Sequence, residues 1–254
     1  SHILQHVIGC HITYFVLEDA NGFAIDADDL ISQAREHDAV ILVNPNSPTG
    51  VYCESMADIV SSIARSNNPG SQCKMIWVDE TYINYLPDAV SLEPLCGSLP
   101  ELVVCKSMSK CYALSGLRVA YAVSQNMATL RRFIPPWAVS LPGQLAAVAA
   151  LRNDAYYAQQ YEVIHSERRK MQQALDDLGF QVFSGVANYL LTYLPAASGY
   201  SSTRFIEACR EQGLFVRDAQ NMGVLLPNNA VRFAVRSPEE NEKMLSIVDA
   251  VLAL

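Results

Sequence analysis

Short apolar runs alternate with amphipathic ones along the first half of the chain. His11–Leu17 is apolar and β-branched and predicts a strand. Asp26–His37 has helical spacing, with Leu30, Ile31 and Ala34 on one face. Ala39–Val43 is a continuous apolar run, the pattern of a strand covered on both faces. Glu54–Arg65 predicts a helix, and Lys74–Val78, Glu101–Cys105 and Leu117–Val123 three more strands. Strands separated by helices imply an α/β fold with a mostly parallel sheet.

The texture changes at Pro135, Pro136 and Pro142. A long helical stretch follows, from about Gln144 to Leu178, with Gly179 placed to stop it. Beyond it the pattern is α+β. Strands are predicted near Phe180–Phe183, Tyr189–Tyr193, Leu214–Val216 and Val231–Val235, with a helix at Thr203–Gln212. The last helix opens on Ser237-Pro238-Glu239-Glu240, a capping box with proline at the first helical position. The expected organisation is a large domain over residues 1–152 and a smaller α+β domain over 153–254.

The 254 residues are 50% hydrophobic and 17% charged, which excludes a disordered or collagen-like chain. Formal net charge is -8 and no basic run stands out, so nucleic acid and anionic membranes are not expected partners. No apolar window is long enough to span a bilayer. Seven cysteines without a C-x-x-C pair read as reduced thiols, and a cytoplasmic location is expected. The five histidines have no metal-ligand spacing. Phosphate-loop, dinucleotide and serine-elbow fingerprints are missing.

Four segments at predicted strand ends carry chemistry, and strand carboxyl ends are where open parallel sheets bind ligands. Asn44-Pro45-Asn46-Ser47-Pro48-Thr49-Gly50 follows the Ala39–Val43 run; on its residues alone it is a tight polar turn. Asp79-Glu80-Thr81-Tyr82 sets a carboxylate and a phenol three residues apart, and a helix N-cap aspartate explains it as well. Ser107, Ser109, Lys110 and Arg118 fall between two buried strands, a set able to cradle a phosphate and present an amine. Arg232 and Arg236 share one face of a strand, where a guanidinium takes either an anionic partner or a place on an exposed edge.

Taken in order, these four segments resemble the class I/II aminotransferases, pyridoxal-phosphate (PLP) enzymes of fold type I, over nearly the whole chain. The resemblance implies that Lys110 forms the Schiff base with PLP. It implies that Asp79 pairs with the pyridine nitrogen and Tyr82 bonds the ring hydroxyl. Ser107, Ser109 and Arg118 take the cofactor phosphate, and Arg232 the substrate α-carboxylate. The family's second contact to the ring hydroxyl is an asparagine directly before Pro-Thr-Gly; here that position is Ser47, with Asn46 one place earlier. A buried aspartate against a pyridinium favours both charged forms, which keeps the ring an electron sink. Freed from the cofactor, the lysine amine is the base at Cα.

Within the family, Pro135–Ser140, Val216-Arg217-Asp218 and Phe233–Asn241 look most like threonine-phosphate decarboxylase of cobalamin synthesis. Histidinol-phosphate aminotransferase is the alternative. Both likenesses imply a small phosphorylated amino substrate, held by Arg217 near a strand that begins at Asn188. Arg236 motivates decarboxylation, as a second cation turning the carboxylate out of the ring plane; a structural ion pair accounts for it equally. A homodimer follows from the resemblance. The family's additional N-terminal part, with a cofactor-phosphate turn and a ring-stacking aromatic, has no counterpart here. Three readings follow: part of a longer enzyme, a shortened protein that relies on a partner, or, in another class, a non-catalytic scaffold with a relic site. The presence of Lys110, Asp79, Tyr82 and Arg118 together weighs against the last.

Overall fold

The computed structural model describes residues 3–65, 73–223 and 225–253. The first sheet holds β1 (Ala39–Val43), β2 (Met75–Asp79), β3 (Leu102–Ser107) and β4 (Ala120–Val123), in that order. β1, β2 and β3 run parallel, with Val43 opposite Asp79 and Asp79 opposite Cys105; β4 returns antiparallel. Helices α1 (Ala27–Ala34) and α2 (Met56–Arg65) cover one face. Leu30, Ile59, Ile63, Ile76, Val78 and Leu102 form the core between them.

The second sheet is antiparallel throughout, ordered β5 (Gln181–Val182), β6 (Tyr189–Tyr193), β8 (Ala230–Ala234) and β7 (Arg217–Asp218). Helices α5 (Asp154–Asp177), α6 (Ser202–Glu211) and α7 (Pro238–Leu252) pack on it around Met171, Leu175, Phe205 and Phe233. A third cluster joins the two halves. Tyr82, Met108, Cys111 and Tyr112 of the first half meet Ala147 and Ala150 of α4 (Leu141–Leu151) and Tyr189 of β6. A short α3 (Met127–Arg131) precedes α4.

The chain differs from its pattern in five places. His11–Leu17 forms no strand; no neighbouring strand among the described residues lies beside it, and an apolar run without a ladder partner stays irregular. The long helix is two, because Asn153 leaves helical geometry (φ -115, ψ 46) and its side-chain Nδ2 donates back to the carbonyl of Ala149 at 2.8 Å. The third predicted strand of the second half forms at Arg217–Asp218 rather than Leu214–Val216, because the ladder with β8 pairs Arg217 to Arg232. β1 is not covered on both faces: it edges the sheet and leaves Ile41 51% exposed. The second-half strand near Val231–Val235 stops at Ala234, which takes Arg236 off it.

Gly179 sits at φ +85 after α5 and Phe180 N returns to the carbonyl of Leu175 at 3.0 Å, the left-handed stop its position predicts. The Ser237 capping box also forms: Glu240 N donates to Ser237 Oγ and Ser237 N to Glu240 Oε2, both at 3.4 Å. Replacing such a cap costs about 1 kcal/mol. Ser237→Ala is therefore expected to lower the urea midpoint with an unchanged slope; an unmoved midpoint would show that the cap contributes nothing.

Candidate active site

The site grows from the carboxyl ends of β1, β2 and β3. After β1 the chain turns through Asn44–Gly50. Asn44 is buried and braces the turn: its Oδ1 accepts from Cys53 N at 2.8 Å and its Nδ2 donates to Cys53 O at 3.0 Å. Thr49 Oγ1 donates to Asn46 Oδ1 at 2.9 Å, and Gly50 turns left-handed at φ +77. The second half presses on this turn. Val186 N donates to Gly50 O at 2.8 Å, and a Cβ at Gly185 would stand 2.9 Å from Thr49 O and Gly50 C, so only glycine fits there.

Asp79 ends β2. Its Oδ1 accepts the backbone N of Thr81 at 2.9 Å and also the Thr81 hydroxyl, while Oδ2 accepts from no described residue. The Thr81 hydroxyl in turn accepts from Ser107 N at 3.1 Å. Asp79 and the segment after β3 are thereby tied together. Ser107 and Ser109 share a hydroxyl–hydroxyl bond of 2.7 Å. Lys110 follows in the turn, exposed, and its ammonium has no hydrogen bond or ion pair among the described residues. Arg118 sits in a left-handed conformation (φ 53) beyond the turn, held there by a bond to Ser115 O at 3.2 Å. Met108 N donates to Val119 O at 3.1 Å, which keeps the lysine turn beside the arginine.

Tyr82 is buried, and that burial pushes its phenol up; nearby Arg232 pulls the other way and Asp79 adds to the rise. The phenol is therefore a proton donor at neutral pH. Burial with Asp79 nearby pushes the Cys105 thiol up to about 11, so it stays an inert thiol.

Tyr189 is the hub the sequence pattern did not single out. Its hydroxyl donates to Asn46 O at 2.8 Å, across 143 residues of chain. Its ring meets Tyr82 edge-on at 5.3 Å, and the Arg232 guanidinium lies 4.5 Å over its centroid. One side chain thus gathers Asn46, Tyr82 and Arg232. Its signals in the chain are its place in the apolar run Tyr189–Tyr193, which reads as core, and in Asn188-Tyr189-Leu190-Leu191, a family-like segment that marks the strand but not the tyrosine. Arg168 of α5 is 9% exposed and within electrostatic reach of Tyr189; its Nε and Nη2 have no hydrogen-bond partner among the described residues, and burial pushes it down to about 10.

The remaining candidates spread out. Arg217 is exposed on β7, opposite Arg232 in the ladder. Asn188 is half-buried ahead of β6, its carbonyl accepting from Val235 N at 2.9 Å. Arg236 does not share the face of Arg232. It pairs with Glu240 at 3.2 Å, exposed on the first turn of α7. A cavity of about 740 Å³ is lined by the Asn46–Thr49 turn, Tyr14–Ala20, Met222 and Leu226; it shares only Asn46 and Ser47 with the candidate set.

The chain that carries these residues is matched at the level of family. The description aminotransferase class I and II fits residues 5–248. The chain belongs to this PLP-dependent aminotransferase family. Threonine-phosphate decarboxylase of Salmonella typhimurium is 29% identical over 96% of the chain, and histidinol-phosphate aminotransferase of Methanococcus maripaludis 26% over 98%. Aromatic amino acid aminotransferase of Rhodococcus erythropolis is 32% identical over 91% of the chain. The chain spans 66%, 66% and 61% of those relatives' lengths. Among solved structures, histidinol-phosphate aminotransferase from Clostridium acetobutylicum superposes with a TM-score of 0.87 at 24% identity, covering 99% of this chain and 74% of that one. The Sinorhizobium meliloti counterpart, in complex with pyridoxal-5'-phosphate, gives 0.82 at 20% identity, over 99% and 66%. These likenesses carry the fold: a mostly parallel sheet clad in helices plus a second, smaller sheet. Among the described residues, no helix is long and apolar enough to cross a membrane.

Proposed function

We propose that the protein is a PLP-dependent enzyme acting at Cα of a small, phosphorylated amino compound, through an amine of Lys110. One observation carries the reading. Lys110 presents an unpaired ammonium in the same tied strand ends that leave one oxygen of Asp79 without a donor. The donor set suits the cofactor: an amine for its aldehyde, a carboxylate for its ring nitrogen, a phenol for its ring oxygen, and two hydroxyls with a guanidinium for its phosphate. Held there, PLP would supply an electron sink for the bond broken at Cα.

The chain's own residues do the rest. Asp79 holds a proton at the ring nitrogen. Tyr82, kept protonated by burial, would donate to the ring oxygen, with Asn46 and Ser47 as further candidates for it. Ser107, Ser109 and Arg118 grip the phosphate. Lys110 Nζ would join the cofactor's aldehyde and, as a free amine, could take the proton from Cα. Arg232, seated on Tyr189, holds the substrate carboxylate, and Arg217 with Asn188 faces the substrate's far end.

Which bond breaks depends on how the carboxylate is held. Arg236 is paired with Glu240, so no second cation beside Arg232 turns the carboxylate of an amino-acid substrate, and this favours transamination; histidinol phosphate, which has no carboxylate, can lose only a proton at Cα. Decarboxylation of threonine phosphate is the second reading, favoured by the Salmonella typhimurium relative and by Val216-Arg217-Asp218. Supplying threonine phosphate and histidinol phosphate, and assaying carbon dioxide and the carbonyl product, separates them. Carbonyl product without carbon dioxide is expected; carbon dioxide from threonine phosphate would reverse the order, and no turnover of either would remove both.

The reading extends to organisation. A large cofactor domain covers 1–152 and a small domain 153–254, meeting where α4 gives way to α5. Phe133, Trp137, Leu141 and Leu145 are all exposed within one short stretch of chain, Trp137 at 96%, which suits contact with a second copy in a homodimer. The location is cytoplasmic, in keeping with free thiols.

A further inference from the structure

The ends of β2 and β3 are fastened on two faces. On the site face the Thr81 hydroxyl bridges Asp79 and Ser107. Strand alternation turns Lys106 away from Ser107, to the opposite face. There Lys106, 6% exposed, meets Glu80, 1% exposed, at 3.2 Å. The same ammonium reaches Glu93 Oε1 at 2.7 Å and donates to Ser91 Oγ at 3.0 Å. Glu80 also accepts from Ser91 Oγ at 2.6 Å and Leu92 N at 2.7 Å, and the Tyr121 hydroxyl of β4 donates to Glu93 at 3.0 Å. One buried ammonium therefore ties β2, β3, β4 and the segment after Ser91.

Buried ion pairs are weak sources of stability, because desolvation offsets attraction, and apolar replacements are often neutral. No step of the proposed chemistry uses these charges. Their place in the chain is what distinguishes them: Glu80 directly follows Asp79, and Lys106 directly precedes the Ser107–Lys110 turn. We propose that Glu80 and Lys106 are positioning residues, whose ion pair sets how Asp79 and the Lys110 turn stand relative to each other and hence how tightly PLP is gripped. This rests on Asp79 and Lys110 being the cofactor's residues.

Three variants test it: Lys106→Met, Lys106→Arg, and Glu80→Gln with Lys106→Met. Each is measured for its unfolding midpoint, for amide exchange without cofactor, and for PLP affinity and visible band. The double variant, which leaves only the partly exposed Glu93 without its cation but still bonded to Tyr121, is expected to stay close to the parent midpoint. Its amides at 79–81 and 107–110 should exchange faster. Its PLP affinity should fall about tenfold to a hundredfold, the range for residues that orient a binding group through another, with a displaced band. Lys106→Arg should restore most of that affinity. A double variant with parent exchange, affinity and band overturns the proposal. So does a double variant whose exchange rises everywhere alike, since that is a loss of stability and not of position. If Lys106→Met alone does not fold, the double and arginine variants carry the test. A parent without any visible band refutes the cofactor reading itself, and amide exchange then still decides whether the pair orders the two segments.

Discussion

Lys110→Ala is expected to leave a colourless protein. The parent, mixed with PLP, should develop the visible absorbance of a cofactor joined to an amine, and the alanine variant should not. Turnover should fall by at least about 10⁴-fold, because the substitution removes both the covalent anchor and the base at Cα, and a positioned base alone contributes roughly 10²–10⁴-fold. The side chain is exposed and unpaired, so its removal leaves no buried partner unsatisfied and the fold should be untouched. An alanine variant that still turns yellow and keeps its turnover would show that the amine lies elsewhere.

The second large effect is at Asp79. Asp79→Asn keeps the size of the side chain and its acceptor for Thr81, but removes the charge that holds a proton at the cofactor's ring nitrogen. Turnover should drop by on the order of 10²–10³-fold, the range for deleting one preorganised electrostatic group. PLP should still bind through Lys110, with a weaker affinity. The separation of effects is the point: loss of colour belongs to Lys110, loss of rate with colour retained belongs to Asp79. Equal turnover in the parent and the asparagine variant would place the carboxylate outside the chemistry.

Much of this arrangement is visible in the chain before any coordinates. The Ala39–Val43 and Tyr189–Tyr193 runs form strands with those bounds, because five consecutive apolar or β-branched residues between turn signals have few alternatives. Gly179 and Ser237 announce their caps locally, and local chemistry decides a cap. His11–Leu17 has the same apolar texture as a strand, yet strands need neighbours, and no property of the segment itself says whether one is present.

The candidate site divides in the same way. Asp79, Ser107 and Lys110 are legible because strand ends and turn residues mark them along the chain. Tyr189 is not, because its hydrogen bond to Asn46 and its seat under Arg232 are made by tertiary packing alone. Arg236 misleads for a related reason. Four residues from Arg232 means one face only while the strand continues, and it stops at Ala234, where the α7 cap begins to claim the side chain for Glu240.

Borohydride reduction of the PLP-treated protein, followed by digestion and mass spectrometry, tests the central claim most directly. One pyridoxyl group per chain, on the peptide that carries Lys110, is the predicted result. Label distributed over Lys74, Lys170 and Lys243 with none at Lys110, or no label at all, would contradict it.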